Sequence, residues 1–264
     1  MDLNSLFNLN GRVALVTGGS RGIGRMIVEG YLAAGCERVY ISARKVDQIE
    51  QTVADLGGKV IGLPADLSTV DGCHSLAHQI AEREEKLDIL VNNAGAAWGA
   101  EYGSFPEAGW DRTMDLNVKG LFFLTQALHG TMKNAASFER PAKIINIASV
   151  DGIKINPWQT YPYQASKAAV IHLTRRLAAE LAPQNILVSG IAPGAFPSEM
   201  NKVARDHEDA VGQNIPFPRV GTTEDMAGLA IFLASRAGDY ICGDTIACDG
   251  GIAYSSLPGN SIDA

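Results

Sequence analysis

The sequence lacks any long apolar run. No stretch of its 264 residues approaches the roughly 18 apolar residues that a membrane-spanning helix needs. The amino-terminal segment also lacks a basic stretch ahead of an apolar run, so it does not have the pattern of a secretion signal. These absences predict a cytoplasmic protein with no membrane partner.

Positive charge is also scarce. Lys and Arg number 22 against 29 Asp and Glu, which gives a formal net charge of −7. Proteins that bind nucleic acid nonspecifically need a basic surface that displaces counterions from the phosphate backbone. We therefore expect no nucleic-acid partner, although small anions can still bind locally.

Cysteines are few and are not paired along the sequence. The four cysteines are Cys36, Cys73, Cys242 and Cys248. Because they form no C-x-x-C pair or metal-type spacing, we interpret them as small core residues of a reducing compartment. His74 and His78 have the spacing of two ligands on one helical face, but they belong to an ordinary amphipathic pattern. We predict no bound metal.

Short β-branched runs alternate with longer segments of helical spacing. The runs are RVALVTG, RVYISAR, KVIGLPA, LDILVNNAG, AKIINIAS and ILVSGIAPG. Strands that are apolar throughout are buried on both faces, which is typical of a parallel sheet between two layers of helices. No linker or internal repeat interrupts the alternation. The sequence therefore predicts an α/β fold in a single domain over residues 1–264, a Rossmann-type doubly wound parallel sheet with helices on both faces.

Two regions depart from this alternation. Residues 193–221 contain Pro193, Gly194, Pro197, Pro216, Pro218 and Gly221, and we interpret about 195–220 as a mobile lid over the substrate. The polar residues from about 255 to 264 are expected to form a floppy tail or an arm that packs on a neighbouring subunit.

A glycine-rich loop follows the first predicted strand directly. Its residues are Gly18, Ser20, Arg21, Gly22, Ile23 and Gly24. The three glycines allow a tight turn, a close approach to a pyrophosphate and close packing of the next helix. The free N–H groups at the start of that helix would bind the anion. Because the loop lies on the first strand of a βαβ alternation, it predicts a dinucleotide site.

The second predicted strand lacks the acid that selects NAD. In many dinucleotide-binding domains, an Asp or Glu about 20 residues beyond the glycine loop accepts from the ribose 2′-hydroxyl. Ala43 occupies that position here, and Arg44 and Lys45 follow it. Together with Arg21, these cations would surround a 2′-phosphate. The alternative is a set of solvated loop cations, but the missing acid favours NADP(H).

Tyr163 and Lys167 lie four residues apart at the start of a long helical pattern. This spacing places them on one face about one turn apart, so the ammonium is expected to lower the tyrosine pKa from its usual value of about 10. Ser149 ends an apolar strand at the carboxyl edge of the sheet, where a hydroxyl would hold a substrate carbonyl. Taken singly, Ser149 suits a turn cap and Tyr163 a helix surface. Together they predict proton transfer by Tyr163.

The order of the motifs resembles that of the short-chain dehydrogenase/reductase family over about residues 10–253. The matching motifs are TGGSRGIG at 17–24, Asp66 in PADLS, NNAG at 92–95, Asn117 in DLNVKG, Ser149, YQASK at 163–167 and PG at 193–194. The G-x-x-x-G-x-G spacing of the loop is the form expected in this family. The resemblance implies an enzyme that moves a hydride between a nicotinamide cofactor and a carbonyl or hydroxyl carbon.

The resemblance also implies a catalytic tetrad of Asn117, Ser149, Tyr163 and Lys167. Tyr163 would be the acid or base, and Ser149 would orient the carbonyl. Lys167 would bind the ribose and lower the tyrosine pKa, while Asn117 would hold a proton-relay water. Tyr161 would then be a bystander or part of the pocket wall.

The remaining matches imply contacts with the cofactor. They are Asp66 and Leu67 at the adenine, Asn93 and Gly95 at the adenosine site, and Phe196 and Ser198 at the nicotinamide amide and phosphate. Ser198 stands where the family usually has threonine. Taken singly, Asn93 and Gly95 would also suit a tight turn, Asn117 a helix bend and Asp66 a helix cap.

Three further segments resemble those of 3-oxoacyl (β-ketoacyl) reductases, including the type associated with rhamnolipid synthesis. They are AGAAWGA, SVDGI and IAPGAFPSEM. This resemblance implies reduction of a β-keto ester or thioester by NADPH. Four apolar residues either line the substrate pocket or only pack in the core and lid: Trp98, Trp158, Phe196 and Met200.

Two other functions compete with carbonyl reduction. One is the NAD(P)-linked oxidation of a secondary alcohol such as a sugar, steroid or diol. The other is a cofactor-binding sensor without turnover, but such sensors often lack the tyrosine or lysine, and this chain has both. Long helices predicted at 117–136 and 161–182 resemble those that pair in family oligomers, which implies a homodimer or homotetramer.

Overall fold

Seven parallel strands form a single sheet in the order β3-β2-β1-β4-β5-β6-β7 in the computed structural model, which describes residues 1–255. The strands are β1 Val13–Thr17, β2 Arg38–Ala43, β3 Val60–Pro64, β4 Ile89–Asn92, β5 Ala142–Ile147, β6 Ile186–Pro193 and β7 Thr245–Cys248. The strand order reverses between β1 and β4. Open α/β sheets bind their ligands at the carboxyl ends of the strands beside such a reversal.

Helices cover both faces of this sheet. They are α1 Leu3–Phe7, α2 Gly22–Ala33, α3 Val46–Leu56, α4 Val70–Ala81, α5 Glu107–Met114, α6 Leu121–Ala135, α7 Tyr161–Leu181, α8 Lys202–Asp206, α9 Glu208–Gly212 and α10 Thr223–Ala234. Residues of α4, α6 and α7 pack on one face, and residues of α2, α3 and α10 pack on the other. The predicted doubly wound fold is therefore confirmed.

Successive residues of a strand supply the two halves of the core. Leu15 of β1 and Leu90 of β4 pack with α4, α6 and α7, whereas Val16 and Val91 pack with α2, α3 and α10. All four side chains are fully buried. Burying an aliphatic side chain of this kind stabilises a fold by about 1.5–3 kcal/mol, so the apolar strands carry much of the stability.

The sequence analysis missed one strand and misplaced one cysteine. The four residues of β7 form a half-buried edge strand, and their short sequence does not stand out from a loop. Cys36 and Cys73 are buried, as expected. The interpretation of Cys242 as a core residue is wrong, because it lies exposed in the loop before β7.

The segment interpreted as a lid leaves the sheet after β6 and contains α8 and α9. Its two ends are held together, since the Gly221 N–H donates to the Ala195 carbonyl at 2.9 Å. The ring of Phe196 lies against Gly221 at the same place. A closed base is compatible with a lid, and movement of this segment stays a prediction. The tail predicted from about 255 onward lies outside the described residues, apart from Ser255.

No helix within residues 1–255 has both the length and the apolar character needed to cross a membrane. Over the same range, no group of three or more His, Cys, Asp and Glu side chains is placed to hold a metal ion. His78 instead pairs with Glu82 at 3.1 Å on the exposed side of α4.

Candidate active site

The glycine loop between β1 and α2 depends on glycine at three positions. Gly18 and Gly22 have φ angles of +66° and +52°, in the left-handed region that other residues rarely adopt. A Cβ atom on Gly24 would lie 2.2 Å from the Gly18 carbonyl oxygen. No side chain caps the start of α2, so its first N–H groups are free to bind an anion. The loop therefore fits a cofactor diphosphate.

The other three residues predicted to bind the cofactor from this loop differ in their exposure to solvent. Arg21 is exposed immediately before α2. Ser20 is buried, and its carbonyl oxygen accepts from the Thr52 hydroxyl at 3.0 Å, which ties the loop to α3. Ile23, the second residue of α2, is partly buried against the core between this helix and the sheet.

Asn93 is hydrogen-bonded to the backbone at the point where β1 leads into the glycine loop. Its Nδ2 donates to the carbonyl oxygens of Thr17 at 2.8 Å and Gly18 at 3.3 Å. The N–H groups of Asn93 and Ala94 both donate to Thr17 Oγ1 at 2.9 Å. Asn93 therefore shapes the cofactor site by fixing the backbone at the end of β1.

Arg44 and Asp66 lie at neighbouring strand ends, after β2 and β3. Asp66 Oδ1 accepts from the Ser68 N–H at 3.0 Å and hydroxyl at 2.7 Å. Burial raises the pKa of Asp66, but these hydrogen bonds and the charge of Arg44 outweigh it and lower the pKa overall. Arg44 itself is exposed, so its guanidinium is free to meet an anion beside Asp66. Leu67 is buried in the core beside α4.

The lid meets the glycine loop at Ser198. A Cβ atom on Gly22 would lie 3.2 Å from Ser198 Cβ, and a groove of about 310 Å³ lies between α2 and the lid. Ser198 Oγ accepts from the Asn201 N–H at 3.0 Å. Phe196 is 2% exposed with its ring against Gly221, so its backbone, not its side chain, is available to a nicotinamide amide.

Ser149 and Tyr163 come together at the carboxyl end of β5. The Ser149 hydroxyl is close enough to the Tyr163 phenol to lower its pKa, and Ser149 Oγ accepts from the Asp151 N–H at 3.1 Å. Burial raises the pKa of Tyr163 to about 12, although the Ser149 hydrogen bond opposes this rise. The expectation of a lowered tyrosine pKa is therefore wrong for this structure, because burial disfavours the phenolate more than its neighbours stabilise it.

Lys167 lies one helical turn after Tyr163 and is 5% exposed. Its Nζ is 5.6 Å from the centroid of the Tyr163 ring and donates to the Ile147 carbonyl at 2.7 Å. Burial lowers the pKa of Lys167 to about 8, while Asp151 opposes this effect. A Cβ atom on Gly95 would lie 3.8 Å from this Nζ, so Gly95 keeps the space beside the lysine open.

Asn117 lies in a π-helical turn, Asp115–Gly120, between α5 and α6. Its Oδ1 accepts from the Ala96 N–H at 2.8 Å, and its Nδ2 donates to the Ala96 carbonyl and to Ser166 Oγ, both at 2.9 Å. This side chain joins the segment after β4 to α7. Because both Nδ2 protons are used, a relay water would have to donate to the remaining acceptor sites of Asn117.

The apolar residues predicted for the pocket separate into two groups. Trp98 packs on Gly109 of α5, with the Arg112 guanidinium 5.6 Å from its ring centroid. Trp98 and Phe196 therefore pack in the fold, whereas Trp158 and Met200 remain 62% and 55% exposed. Tyr161 forms edge-to-face contacts with Tyr102 and Phe105 at centroid distances of 5.8 and 5.9 Å.

Asp151 is a residue of this site that the sequence analysis did not single out. It lies two residues after Ser149, and its charge acts on both Tyr163 and Lys167. The sequence signal that could have identified Asp151 is a carboxylate two residues after the predicted catalytic serine. The sequence does not show, however, in which direction the side chain of a turn residue points.

Comparison with known proteins agrees with this geometry. A family model described as enoyl-(acyl carrier protein) reductase matches residues 18–253. The rhamnolipids biosynthesis 3-oxoacyl-[acyl-carrier-protein] reductase of Pseudomonas aeruginosa is 47% identical over 254 residues, which are 94% of this chain and 99% of that protein. The chain belongs to the short-chain dehydrogenase/reductase family. The resemblance to this family and to its 3-oxoacyl reductases is confirmed.

Other members of the family show how far the comparison extends. The structure of a Pseudomonas aeruginosa RhlG/NADP active-site complex matches with a TM-score of 0.91 and 46% identity, covering 94% of this chain and 99% of that one. The 2-dehydro-3-deoxy-D-gluconate 5-dehydrogenase of Dickeya dadantii is 38% identical over 95% of this chain and 98% of its own length. This short-chain dehydrogenase/reductase is therefore an oxidoreductase that uses a nicotinamide dinucleotide, and its relatives differ in substrate.

Proposed function

We propose that this enzyme uses NADPH to reduce the ketone of a 3-oxoacyl ester or thioester. The observation that carries the proposal is the placement of Ser149 next to Tyr163 at the carboxyl end of β5, with Lys167 Nζ 5.6 Å from the centroid of the tyrosine ring. Because burial raises the pKa of Tyr163 to about 12, this phenol keeps its proton near neutral pH. A protonated phenol is the form that donates a proton to a reduced carbonyl.

Each residue of the tetrad has a distinct part in the reduction. Ser149 accepts from the Asp151 N–H, which leaves its own proton free to donate to the substrate carbonyl oxygen. The reduced nicotinamide, when bound, supplies the hydride that adds to the carbonyl carbon. Tyr163 transfers its proton to the oxygen, so the ketone gains one hydride and one proton and becomes an alcohol. Lys167 stabilises the phenolate left on Tyr163, and Asn117 holds the water that returns the proton.

The residues around the adenosine end of the cofactor site favour NADP(H) over NAD(H). Ala43 leaves no carboxylate at the end of β2 to accept from a ribose 2′-hydroxyl. Arg44 is exposed next to it and acts electrostatically on Asp66 at the end of β3. The RhlG complex, which matches this chain over nearly its whole length, contains NADP. Arg44 would then bind the 2′-phosphate.

Exposed apolar side chains support an acyl substrate. They lie on the segments that follow the carboxyl ends of β4, β5 and β6: Tyr102, Ile155, Trp158, Met200 and Val203. All are at least 47% exposed, and large apolar side chains exposed on the segments around an active site are typical of a region that binds a ligand or partner. A hydrocarbon chain would cover this surface, whereas a sugar would not.

The second candidate is the oxidation of a secondary alcohol on a sugar acid. The observation in its favour is the 38% identity to the Dickeya dadantii dehydrogenase over almost the whole chain. The two functions differ in the direction of hydride transfer and in the polarity of the substrate, so one assay distinguishes them.

The experiment is a screen of NADPH and NADH oxidation over 3-oxoacyl thioesters, 3-oxoacyl esters, simple ketones and keto sugars. The matched reverse screen offers the corresponding alcohols with NADP⁺ and NAD⁺. We expect the highest kcat/KM for a 3-oxoacyl compound with NADPH. Faster oxidation of a sugar acid with NAD⁺ would support the second candidate instead. The cytoplasmic location and the homodimer or homotetramer stay predictions, and light scattering of the purified protein tests the subunit count.

A further inference from the structure

Two asparagine side chains meet between the central strands β4 and β5. Asn92 ends β4, Asn146 is the last residue but one of β5, and the two are register partners. Asn92 Nδ2 donates to Asn146 Oδ1 at 2.9 Å, and the residues are 5% and 0% exposed. Because side chains alternate along a strand, the pair lies on the same face as Leu90 and Ile144, which pack with α6 and α7. A buried amide pair therefore lies just beneath the carboxyl edge of the sheet.

Each asparagine also donates to a threonine on one of these helices. Asn146 Nδ2 donates to Thr174 Oγ1 of α7 at 3.0 Å, and Asn92 Nδ2 donates to Thr125 Oγ1 of α6 at 3.1 Å. Thr174 and Thr125 are 0% and 4% exposed. Each threonine hydroxyl donates at 2.8 Å to the carbonyl four residues earlier in its own helix, so its oxygen can only accept from the asparagine. The four side chains form one row of directed hydrogen bonds from α6 to α7.

The α7 end of this row is joined to the proton-transfer site along both the strand and the helix. Asn146 directly precedes Ile147, whose carbonyl accepts from Lys167 Nζ at 2.7 Å. Thr174 follows Lys167 in α7 by about two turns, or about 10 Å, on the same helix face. Two hydrogen bonds from neighbouring residues of β5 therefore hold α7 at two separate points.

A single point of attachment would not fix the direction of this helix. The bond of Lys167 to β5 and that of Ser166 to Asn117 come from adjacent residues, and the apolar contacts of α7 are not directional. Thr174 resists a tilt about this point. If Thr174 moved by about 1 Å, Tyr163, one turn to the other side of Lys167, would move by roughly half as much in the opposite direction. A displacement of about 1 Å at a reacting group can cost roughly 100-fold in rate.

We propose that Asn146 and Thr174 are positioning residues, which fix the direction of α7 on β5 and thereby hold Tyr163 and Lys167 in place for proton transfer. This inference rests on the proposed catalytic roles of Tyr163 and Lys167. A polar row that only stabilised the core would be equally important at both of its ends. The inference instead gives the α7 end an effect on catalysis that the α6 end lacks.

The two ends of the row provide a matched pair of variants. Thr174→Val and Thr125→Val each remove one buried hydroxyl that accepts from an asparagine and donates to its own helix. The two variants should therefore lower the urea midpoint of unfolding by similar amounts. Only Thr174→Val is expected to disturb the site, because Asn117, which precedes α6, is fixed by its own hydrogen bonds to Ala96 and Ser166.

The first measurement is kcat for reduction of a 3-oxoacyl ester at saturating NADPH. We expect Thr174→Val to lower kcat about tenfold, because the proton donor is displaced. Thr174→Ser keeps the hydroxyl and should restore kcat, and Thr125→Val should keep the kcat of the wild type. Equal kcat values in the two valine variants would show that the row only stabilises the fold and would overturn the inference.

The second measurement needs no substrate. Carbon-13 NMR of the protein labelled at the lysine ε-carbons reports the position of Lys167, because its Nζ lies 5.6 Å from the centroid of the Tyr163 ring, whose ring current shifts nearby resonances. The resonance is assigned by its loss in Lys167→Met. We expect the Lys167 signal to move in Thr174→Val and to keep its position in Thr125→Val.

The NMR result separates this inference from the proposed function. An unmoved Lys167 signal in Thr174→Val would contradict the positioning role, whatever the activity. If the wild type reduces no 3-oxoacyl compound, the proposed substrate is wrong, and the Lys167 signal still decides the role of Thr174.

Smaller side chains keep the test available if Thr174→Val does not fold, as judged by circular dichroism. Thr174→Ala and Thr125→Ala leave space for a water that can accept from the freed amide, so they should cost less stability. The fall in kcat and the movement of the Lys167 signal should again be confined to the α7 variant, with a smaller size. Identical kcat values and Lys167 signals in the two alanine variants would overturn the inference.

Discussion

Ser149 and Tyr163 lie next to each other although one follows a central strand and the other lies in the first turn of α7. The Asp151 N–H occupies an acceptor site of the Ser149 hydroxyl, which directs the serine proton away from the turn. A substrate carbonyl placed between the two hydroxyls would accept from both. This pairing gives the site its proton donor and its binding group for the oxygen.

The first prediction concerns Ser149. Ser149→Ala is expected to lower kcat for reduction by roughly 100-fold or more, because the carbonyl loses a donor in the transition state. NADPH affinity, measured by fluorescence, should change little. Ser137→Ala is the control, since its hydroxyl accepts from the Arg140 N–H at the surface. An undiminished rate in Ser149→Ala would remove Ser149 from the mechanism.

The second prediction concerns the closeness of α2 to the glycine loop. Gly24→Ala places a methyl group 2.2 Å from the Gly18 carbonyl oxygen, so the loop must open. We expect a loss of about 1–3 kcal/mol in the free energy of unfolding and at least roughly tenfold weaker NADPH binding.

Gly228→Ala is the control for this substitution. Nothing lies within 4 Å of the added methyl group on the exposed side of α10. The free energy of unfolding of this variant should therefore rise by about 0.5–1 kcal/mol, and NADPH should bind normally. Urea unfolding and fluorescence titration measure both variants. Equal NADPH affinity in Gly24→Ala and the control would show that the loop does not hold the diphosphate.

Much of this site was predictable because it depends on local patterns. The glycines, the pair of Tyr163 and Lys167, and the strand ending before Ser149 all follow from residue type and spacing. Long-range relationships were not predictable. The sequence shows neither that Asn93 turns back to the Thr17 and Gly18 carbonyls nor that Trp98 packs on Gly109. It also gives no measure of the burial that raises the Tyr163 pKa.

The fold likewise has local features that the sequence predicts and long-range features that it does not. Six strands were predicted because continuous apolar runs indicate burial on both faces. The seventh, β7, is half-buried at the sheet edge and pairs only with β6, so its four residues carry little periodic signal. The π-helical turn at Asn117 was also missed, because it depends on the contact of Asn117 with Ala96 and Ser166 rather than on local propensity.

The third prediction concerns cofactor choice. Arg44→Asp replaces the cation at the end of β2 with the acid that would accept from a 2′-hydroxyl. The ratio of kcat/KM for NADPH over NADH should fall by roughly 100-fold, through both lost attraction and new repulsion. Arg83→Asp makes the same charge change beyond α4, far from the site along the sheet, and serves as the control. An unchanged ratio in Arg44→Asp would exclude this residue from cofactor selection.

The fourth prediction concerns acid stability at the end of the lid segment. Asp225 of α10 accepts from both Arg219 Nη atoms, at 2.5 and 2.9 Å, and these hydrogen bonds lower its pKa from 3.8 to about 2. A carboxylate whose pKa is lower in the folded state than in the unfolded state stabilises the fold at pH values above its unfolded-state pKa. This stabilisation is lost as the pH falls through the folded-state pKa. The wild type should therefore lose more stability than Asp225→Asn between about pH 4 and about pH 2.

The size of this effect is limited by solvent. The Arg219 side chain is 44% exposed, so we expect a difference of about 1 kcal/mol at neutral pH rather than the full value for a buried pair. Urea unfolding as a function of pH measures it for both proteins. Parallel pH curves for the wild type and Asp225→Asn would show that this ion pair does not anchor the segment.

The most direct test of the account is the activity of Tyr163→Phe with NADPH and a reducible 3-oxoacyl ester. The variant keeps the ring beside Lys167 but has no proton to donate, so its turnover should fall by at least roughly a thousandfold while NADPH affinity stays the same. Tyr161→Phe, which keeps its edge-to-face contacts with Tyr102 and Phe105, should remain active. Normal turnover in Tyr163→Phe would contradict the central claim that this phenol protonates the carbonyl.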